Sequence, residues 1–157
     1  MNVIKPPTPI EFGKEEFSIF LAGSIEMGKA SDWQQKVTDS LADLDITILN
    51  PRRDDWDSSW EQTIENPMFK EQVEWELQGL EQATFRVFHF EAGTMSPITL
   101  MELGLCAEMG NNIVYCAEGF WRKGNVDIVC ARYGIEQANT LAEAIAWLRT
   151  KIQSLTF

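Results

Sequence analysis

Phe17-Ser-Ile-Phe-Leu-Ala22, broken at Gly23 and followed by Ser31-Asp-Trp-Gln34 and Ile46-Thr-Ile-Leu49, is the stretch that decides the fold class. The first run is short, uncharged and closed by a glycine, so it reads as a buried strand. Ser31 with Gln34 three residues on is a capping-box pattern, and Trp33, Val37, Leu41 and Leu44 then share one helical face. Ile46 to Leu49 reads as a second strand, stopped by Asn50-Pro51. Strand, glycine turn, helix and strand make the unit from which parallel sheets are built.

The pattern continues in both directions. Asn66-Pro67 is an N-cap followed by a first helical residue, with Val73, Leu77 and Leu80 as the stripe of the helix, and Phe85 to Phe90 is a third strand. Ser96-Pro97 repeats the same helix start, Ile98 to Met109 is nearly all apolar, and Gly110-Asn111 ends it. Ile113 to Cys116 reads as a fourth strand and Val126 to Cys130 as a fifth; Thr140-Leu-Ala-Glu143 caps a last helix with Leu141, Ile145, Leu148, Ile152 and Leu155 in line. Residues 1–16, with prolines between Lys5 and Pro9, read as an extended head. Short apolar strands alternating with helices predict an α/β fold, a parallel sheet with helices on both faces.

With 157 residues, 45% of them hydrophobic, the chain fills one core and is too short for two ordinary domains, so 1–157 reads as one domain. A net charge of -11 argues against a nucleic-acid polymer as partner, because such partners recruit excess Lys and Arg. The longest apolar runs fall short of the roughly 18 to 20 residues of a membrane span, and the start lacks a signal-peptide pattern, so no membrane and a cytoplasmic location are expected. Cys106, Cys116 and Cys130 lie in apolar segments and read as core residues in a reducing compartment. With His89 as the only histidine, neither a metal nor another cofactor is expected.

Ligands of open parallel sheets sit beyond the carboxyl ends of the strands, which directs attention to Gly23–Ala30, Asn50–Asn66, Glu91–Ser96 and Ala117–Asn125. Two acids stand out nearby. Glu102 has Ile98, Leu105 and Cys106 as helix neighbours, so its carboxylate is either paired with a buried cation or used in chemistry. Glu76 shares its helix face with Phe69, Val73 and Leu80, and Gly79 is expected to leave open space beside it; an ordinary helix-edge acid is the plainer reading. Ser96 is explained as a helix cap and also suits an anion at the helix start. Gly23 and Ser24 form a turn that a ligand can approach closely. Asn50-Pro-Arg-Arg-Asp-Asp-Trp-Asp57 crowds cations, acids and an aromatic into one loop, with Asn50, Arg52, Asp54 and Trp56 as binding candidates. Trp56, Trp60 and Trp121 suit stacking on a planar ring or an oligomer interface.

Phe20-Leu-Ala-Gly-Ser24, Asn50-Pro-Arg-Arg53, Trp75-Glu-Leu-Gln-Gly-Leu80 and Ser96-Pro-Ile-Thr-Leu-Met-Glu-Leu-Gly104 together resemble the nucleoside 2-deoxyribosyltransferase family, including its deoxynucleotide N-glycosidases. The resemblance implies a flavodoxin-like, doubly wound, five-stranded parallel sheet, and a homodimer or larger homo-oligomer with shared sites. It also implies chemistry on the N-glycosidic bond of a small nucleoside or nucleotide. Glu102 matches the family's nucleophile, and Glu76 the acid, usually Asp, that handles the proton of the leaving base. Ser96 falls where nucleotide-hydrolysing members carry Ser, Asn125 resembles the residue lent to a neighbouring subunit's sugar pocket, and Ile19 stands where the family often has Tyr. The implied activity is cleavage or transfer of a 2-deoxyribosyl group through a covalent glutamate. The alternatives are a nucleotide-sensing domain with weak chemistry and a glycohydrolase acting on NAD or a ribonucleotide.

Overall fold

The computed structural model describes residues 1–13, 16–25 and 30–156. In chain order the elements are β1 (Asn2–Ile4), β2 (Phe17–Gly23), α1 (Trp33–Ser40), β3 (Ile46–Leu49) and α2 (Pro67–Gln82), then β4 (Phe85–Phe90), α3 (Pro97–Cys106), β5 (Asn112–Cys116), α4 (Lys123–Tyr133), β6 (Glu136–Ala138) and α5 (Leu141–Leu155). The six strands form one sheet in the order β1-β3-β2-β4-β5-β6, and each pair is parallel. The architecture is therefore α/β and flavodoxin-like, with six strands where five were expected. None of the helices among the described residues is long and apolar enough to cross a membrane.

Side-chain alternation along β2 and β4 assigns the two helical layers. Ile19, Leu21, Phe85 and Val87 pack with Trp33, Val37 and Leu41 of α1 and with Leu148 and Ile152 of α5. Phe20, Ala22, Phe88 and Phe90 pack on the other face with Trp75 and Leu80 of α2, Leu103 and Cys106 of α3, and Val126 and Cys130 of α4. The three cysteines are buried and unbridged.

Two segments differ from the sequence reading. Val126 to Cys130 lies in α4; its buried members are four residues apart, which is helical spacing, and the exposed Ile128 gave the run its strand-like look. The head contributes β1, hydrogen-bonded beside β3, and the Trp75 indole donates to the Thr8 carbonyl oxygen at 2.8 Å. The helix starts divide. Asn66 and Thr140 cap α2 and α5 through their side chains, but α1 is capped by Asp32, because the Ser31 hydroxyl is taken by Glu91. Ser96 makes no side-chain cap: it is left-handed, at φ 45° and ψ 49°, with its hydroxyl turned elsewhere.

One buried cation ties the ends of two helices together. Arg86 on β4 donates to the Leu80 and Ala83 carbonyls at the end of α2 and to the Gly110 carbonyl just past α3. Asn112 donates to the Cys106 carbonyl at the end of α3. These bonds satisfy carbonyls that the last helical turns leave open.

Gly79 does not border open space: a Cβ there would meet Phe20 ring carbons at 2.7 Å. Gly79→Ala is therefore expected to lower stability by about 1–2 kcal/mol, overpacking outweighing alanine's better helix propensity. Chemical denaturation monitored by circular dichroism, with an unchanged slope, checks it.

Candidate active site

A cavity of about 650 Å³ lies beyond the carboxyl ends of β2 and β3, between α2 and the start of α3. Its floor is the chain leaving β2, Ala22 to Ile25; its walls are Pro51 to Arg53, Trp56, Gln62, one side of α2 from Phe69 to Leu77, and Ser96 to Glu102. That size accommodates a small organic molecule. Residues 26–29, part of the expected Gly23–Ala30 ligand segment, lie outside the described residues.

Both singled-out acids line this cavity, Glu76 from α2 and Glu102 from α3. Val73 and Leu77, expected as core stripe, face it with Glu76, while Trp75, Gly79 and Leu80 turn to the sheet. Glu102 is 7% exposed. Burial pushes its carboxyl up to about 8, and the charge of Glu76 adds to the shift. Glu76 is pushed up to about 7 by burial, opposed by the Gln72 amide, which donates to Oε1 at 2.8 Å. Among the described residues neither acid forms an ion pair, so the buried salt bridge weighed for Glu102 is absent there. The nearby arginines are engaged elsewhere: Arg52 with Asp32 at 3.2 Å, and Arg53 with Asp55 at 2.6 Å and Glu71 at 3.2 Å. Two carboxyls repelling each other in a largely apolar cavity titrate as a unit, and between about 7 and 8 the pair holds about one proton.

Next to the acids stands a knot of three buried hydroxyls. Ser24 Oγ is 2.7 Å from Ser96 Oγ and 2.9 Å from Thr94 Oγ1, and the latter two are 3.0 Å apart. The Glu91 amide donates to Ser24 Oγ, and Thr94 Oγ1 donates to the Glu91 carbonyl. The left-handed turn at Ser96 points its hydroxyl into this knot, so the residue shapes the cavity edge instead of capping α3. Gly23 is required by packing, since a Cβ would sit 2.5 Å from the His89 carbonyl oxygen and 2.6 Å from the Trp33 ring.

The remaining candidates separate. Arg52 and Trp56 line the cavity; the Trp56 ring meets Trp60 edge-on, and Arg53 lies over Trp60. Asn50 is buried outside the lining, where Oδ1 accepts from the Arg52 amide and sets the turn. Asp54 is exposed and bound to Lys5 at 3.0 Å, away from the cavity. Asn125 lines a second cavity of about 330 Å³ with Leu100, Gly104 and Trp121. Ile19 packs on the opposite face with α1 and α5, so it has no part in orienting Glu102. Sequence reasoning missed Gln72 and Thr94. Their signals were available: Gln72 precedes Glu76 by one helical turn, and Thr94 precedes Ser96 by two residues.

A family model described as nucleoside 2-deoxyribosyltransferase like matches residues 16–120, which contain the whole first cavity. No curated protein matches the chain.

Because both acids bind protons more tightly folded than the ordinary 4.5, their contribution to stability is full below that value and is lost as pH rises through about 7 and 8. Thermal unfolding should show a falling midpoint across that window. Glu102→Gln is expected to stabilise by about 1–3 kcal/mol on the alkaline side and to flatten the fall.

Proposed function

Because the chain belongs to the nucleoside 2-deoxyribosyltransferase-like family, we propose that it cleaves or transfers the 2-deoxyribosyl group of a deoxynucleoside or deoxynucleoside 5'-monophosphate, with Glu102 as nucleophile and Glu76 as acid and base. The observation that carries this reading is the convergence on one cavity of two carboxyls from different helices, Glu102 buried and Glu76 half-buried, neither in an ion pair among the described residues.

The chemistry follows from that pair. The N-glycosidic bond breaks toward an oxocarbenium-like state, so a carboxylate beside C1' stabilises the developing positive charge and then closes on it. Glu76 gives its proton to a base nitrogen, the bonding electrons leave with the base, and Glu102 becomes the glycosyl ester. In the second half Glu76 takes a proton from water, or from an incoming base, which attacks C1' and releases Glu102. The reaction needs one proton on the pair, with Glu76 holding it and Glu102 ionised. In the free protein the proton rests more often on Glu102, the more strongly raised of the two, and the positive charge developing on the sugar favours the transfer that leaves Glu102 ionised. Trp56 offers a face to the base, and the Ser24 and Ser96 hydroxyls with Arg52 offer donors to the sugar 5' end or its phosphate.

We also propose a homodimer with sites shared between protomers. Ile98, Met101 and Leu105 form an apolar stripe on the outer side of α3, each 54% exposed, and the first two belong to the cavity rim. Such a stripe beside an open site suits a second copy of the chain, and the family resemblance makes Asn125 the residue that copy would lend to the neighbouring sugar pocket.

Incubation with deoxynucleosides and their monophosphates should release free base, and an added second base should form a new nucleoside if transfer dominates. Base release from none of them overturns the reading. Glu102→Ala should lower turnover by about a thousandfold or more. The kcat/KM profile should be a bell with its top between about 7 and 8, since below that range both acids are protonated and above it neither is, and the reaction needs one proton on the pair. Leu105→Glu is expected to shift sedimentation from dimer to monomer, with loss of activity.

A further inference from the structure

The amide of Gln72 is arranged in a way that folding does not explain. Gln72 is 5% exposed, one helical turn before Glu76 on α2, and borders the cavity. Its nitrogen donates both hydrogens, one to the Pro51 carbonyl oxygen at 3.0 Å and one to Glu76 Oε1 at 2.8 Å. Its own carbonyl oxygen is buried with no hydrogen-bond partner among the described residues. An unpaired buried acceptor offsets much of what the two bonds contribute, and an apolar side chain of the same shape would avoid it. Rotating the amide by half a turn is no remedy, because its oxygen would then face the Pro51 carbonyl oxygen, which can only accept.

Resting on the acid and base role given to Glu76 above, we propose that Gln72 is the positioning residue of that acid: it fixes the carboxyl plane and confines the transferable proton to Oε2. Pro51 is the external anchor, since it follows β3 and is not part of α2. The bond to Oε1 exists while Glu76 holds its proton, and strengthens when the proton leaves for the base, because the acceptor then carries a full charge. Gln72 therefore favours the product of proton transfer, in keeping with its downward pull on the Glu76 carboxyl. No group is consumed. The proton passes from Oε2 to the base nitrogen, the electrons of the glycosidic bond leave with the base, and Gln72 keeps both hydrogens.

The test compares wild type, Gln72→Met and Glu76→Gln on two purine deoxynucleosides, one neutral and one methylated at N7, whose charged base departs without a proton. Gln72→Met keeps the shape and removes the donor. On the neutral substrate its kcat should fall about tenfold to a hundredfold with KM little changed, and the alkaline limb of the profile should move to higher pH. On the methylated substrate the deficits of both variants should shrink together, to about threefold or less. The thermal midpoint of Gln72→Met should match or exceed that of wild type. Equal deficits on both substrates, an unmoved alkaline limb, or wild-type turnover by Gln72→Met overturns the role of Gln72 while leaving the reaction standing. A wild-type protein that releases base from neither purine and from none of the other deoxynucleosides and monophosphates overturns both.

Discussion

Parallel strands cannot be joined by a tight turn: the chain must travel back along the sheet before it can add the next strand, and each return must cover one of the two faces. Much else in this protein follows from that restriction. It sends α1 and α5 to one face and α2, α3 and α4 to the other, and it collects the segments leaving the strands along one edge. β2 lies between β3 and β4, so the chain leaving it goes to one side and returns later on the other. A crevice at such a reversal is a property of the topology, and the cavity lies beside it, with Ala22 to Ile25 as floor.

The cavity is hostile to charge, and that gives its two acids their character. Apolar walls deny them hydration, no described cation neutralises them, and each raises the cost of ionising the other. The same carboxyls on the surface would be two separate anions at neutral pH. Enclosed together they hold protons near neutral pH that separate surface acids would have lost, and the proposed cleavage of a bond between a sugar and a nitrogen base rests on that combination of a proton to give and a charge to offer.

Much of the fold was legible because buried strands and capped helices carry strong local signals. Phe85–Phe90 is a strand with the bounds its apolar run suggested, and Asn66 and Thr140 cap as their positions implied. Reading failed where local signal is weak. β1 and β6 are three-residue edge strands whose existence depends on the strand beside them, and β6, Glu-Gln-Ala, has no apolar residue besides Ala138. Val126–Cys130 misled because an outward isoleucine filled the gap between two inward residues. In the site, Glu102 was conspicuous as an acid on an apolar helix, whereas Gln72 was not, since a glutamine in a helix is ordinary until its partners are known. Asp54 joined the candidates through its neighbours in sequence, yet its side chain turns outward to Lys5. Ser96 was recognised at the right place for the wrong local reason, because helix-cap statistics do not anticipate a left-handed turn.

Arg86 gives the arrangement a further property. Its guanidinium touches neither acid, yet it grips the far end of α2 and the turn after α3, the two helices from which Glu76 and Glu102 project. A rigid, permanently charged fork held by three backbone oxygens works as a rivet at the base of a pair of tongs. The jaws meet at the cavity and the pivot is sealed in the interior, so the gap between the jaws is set at the end no ligand reaches.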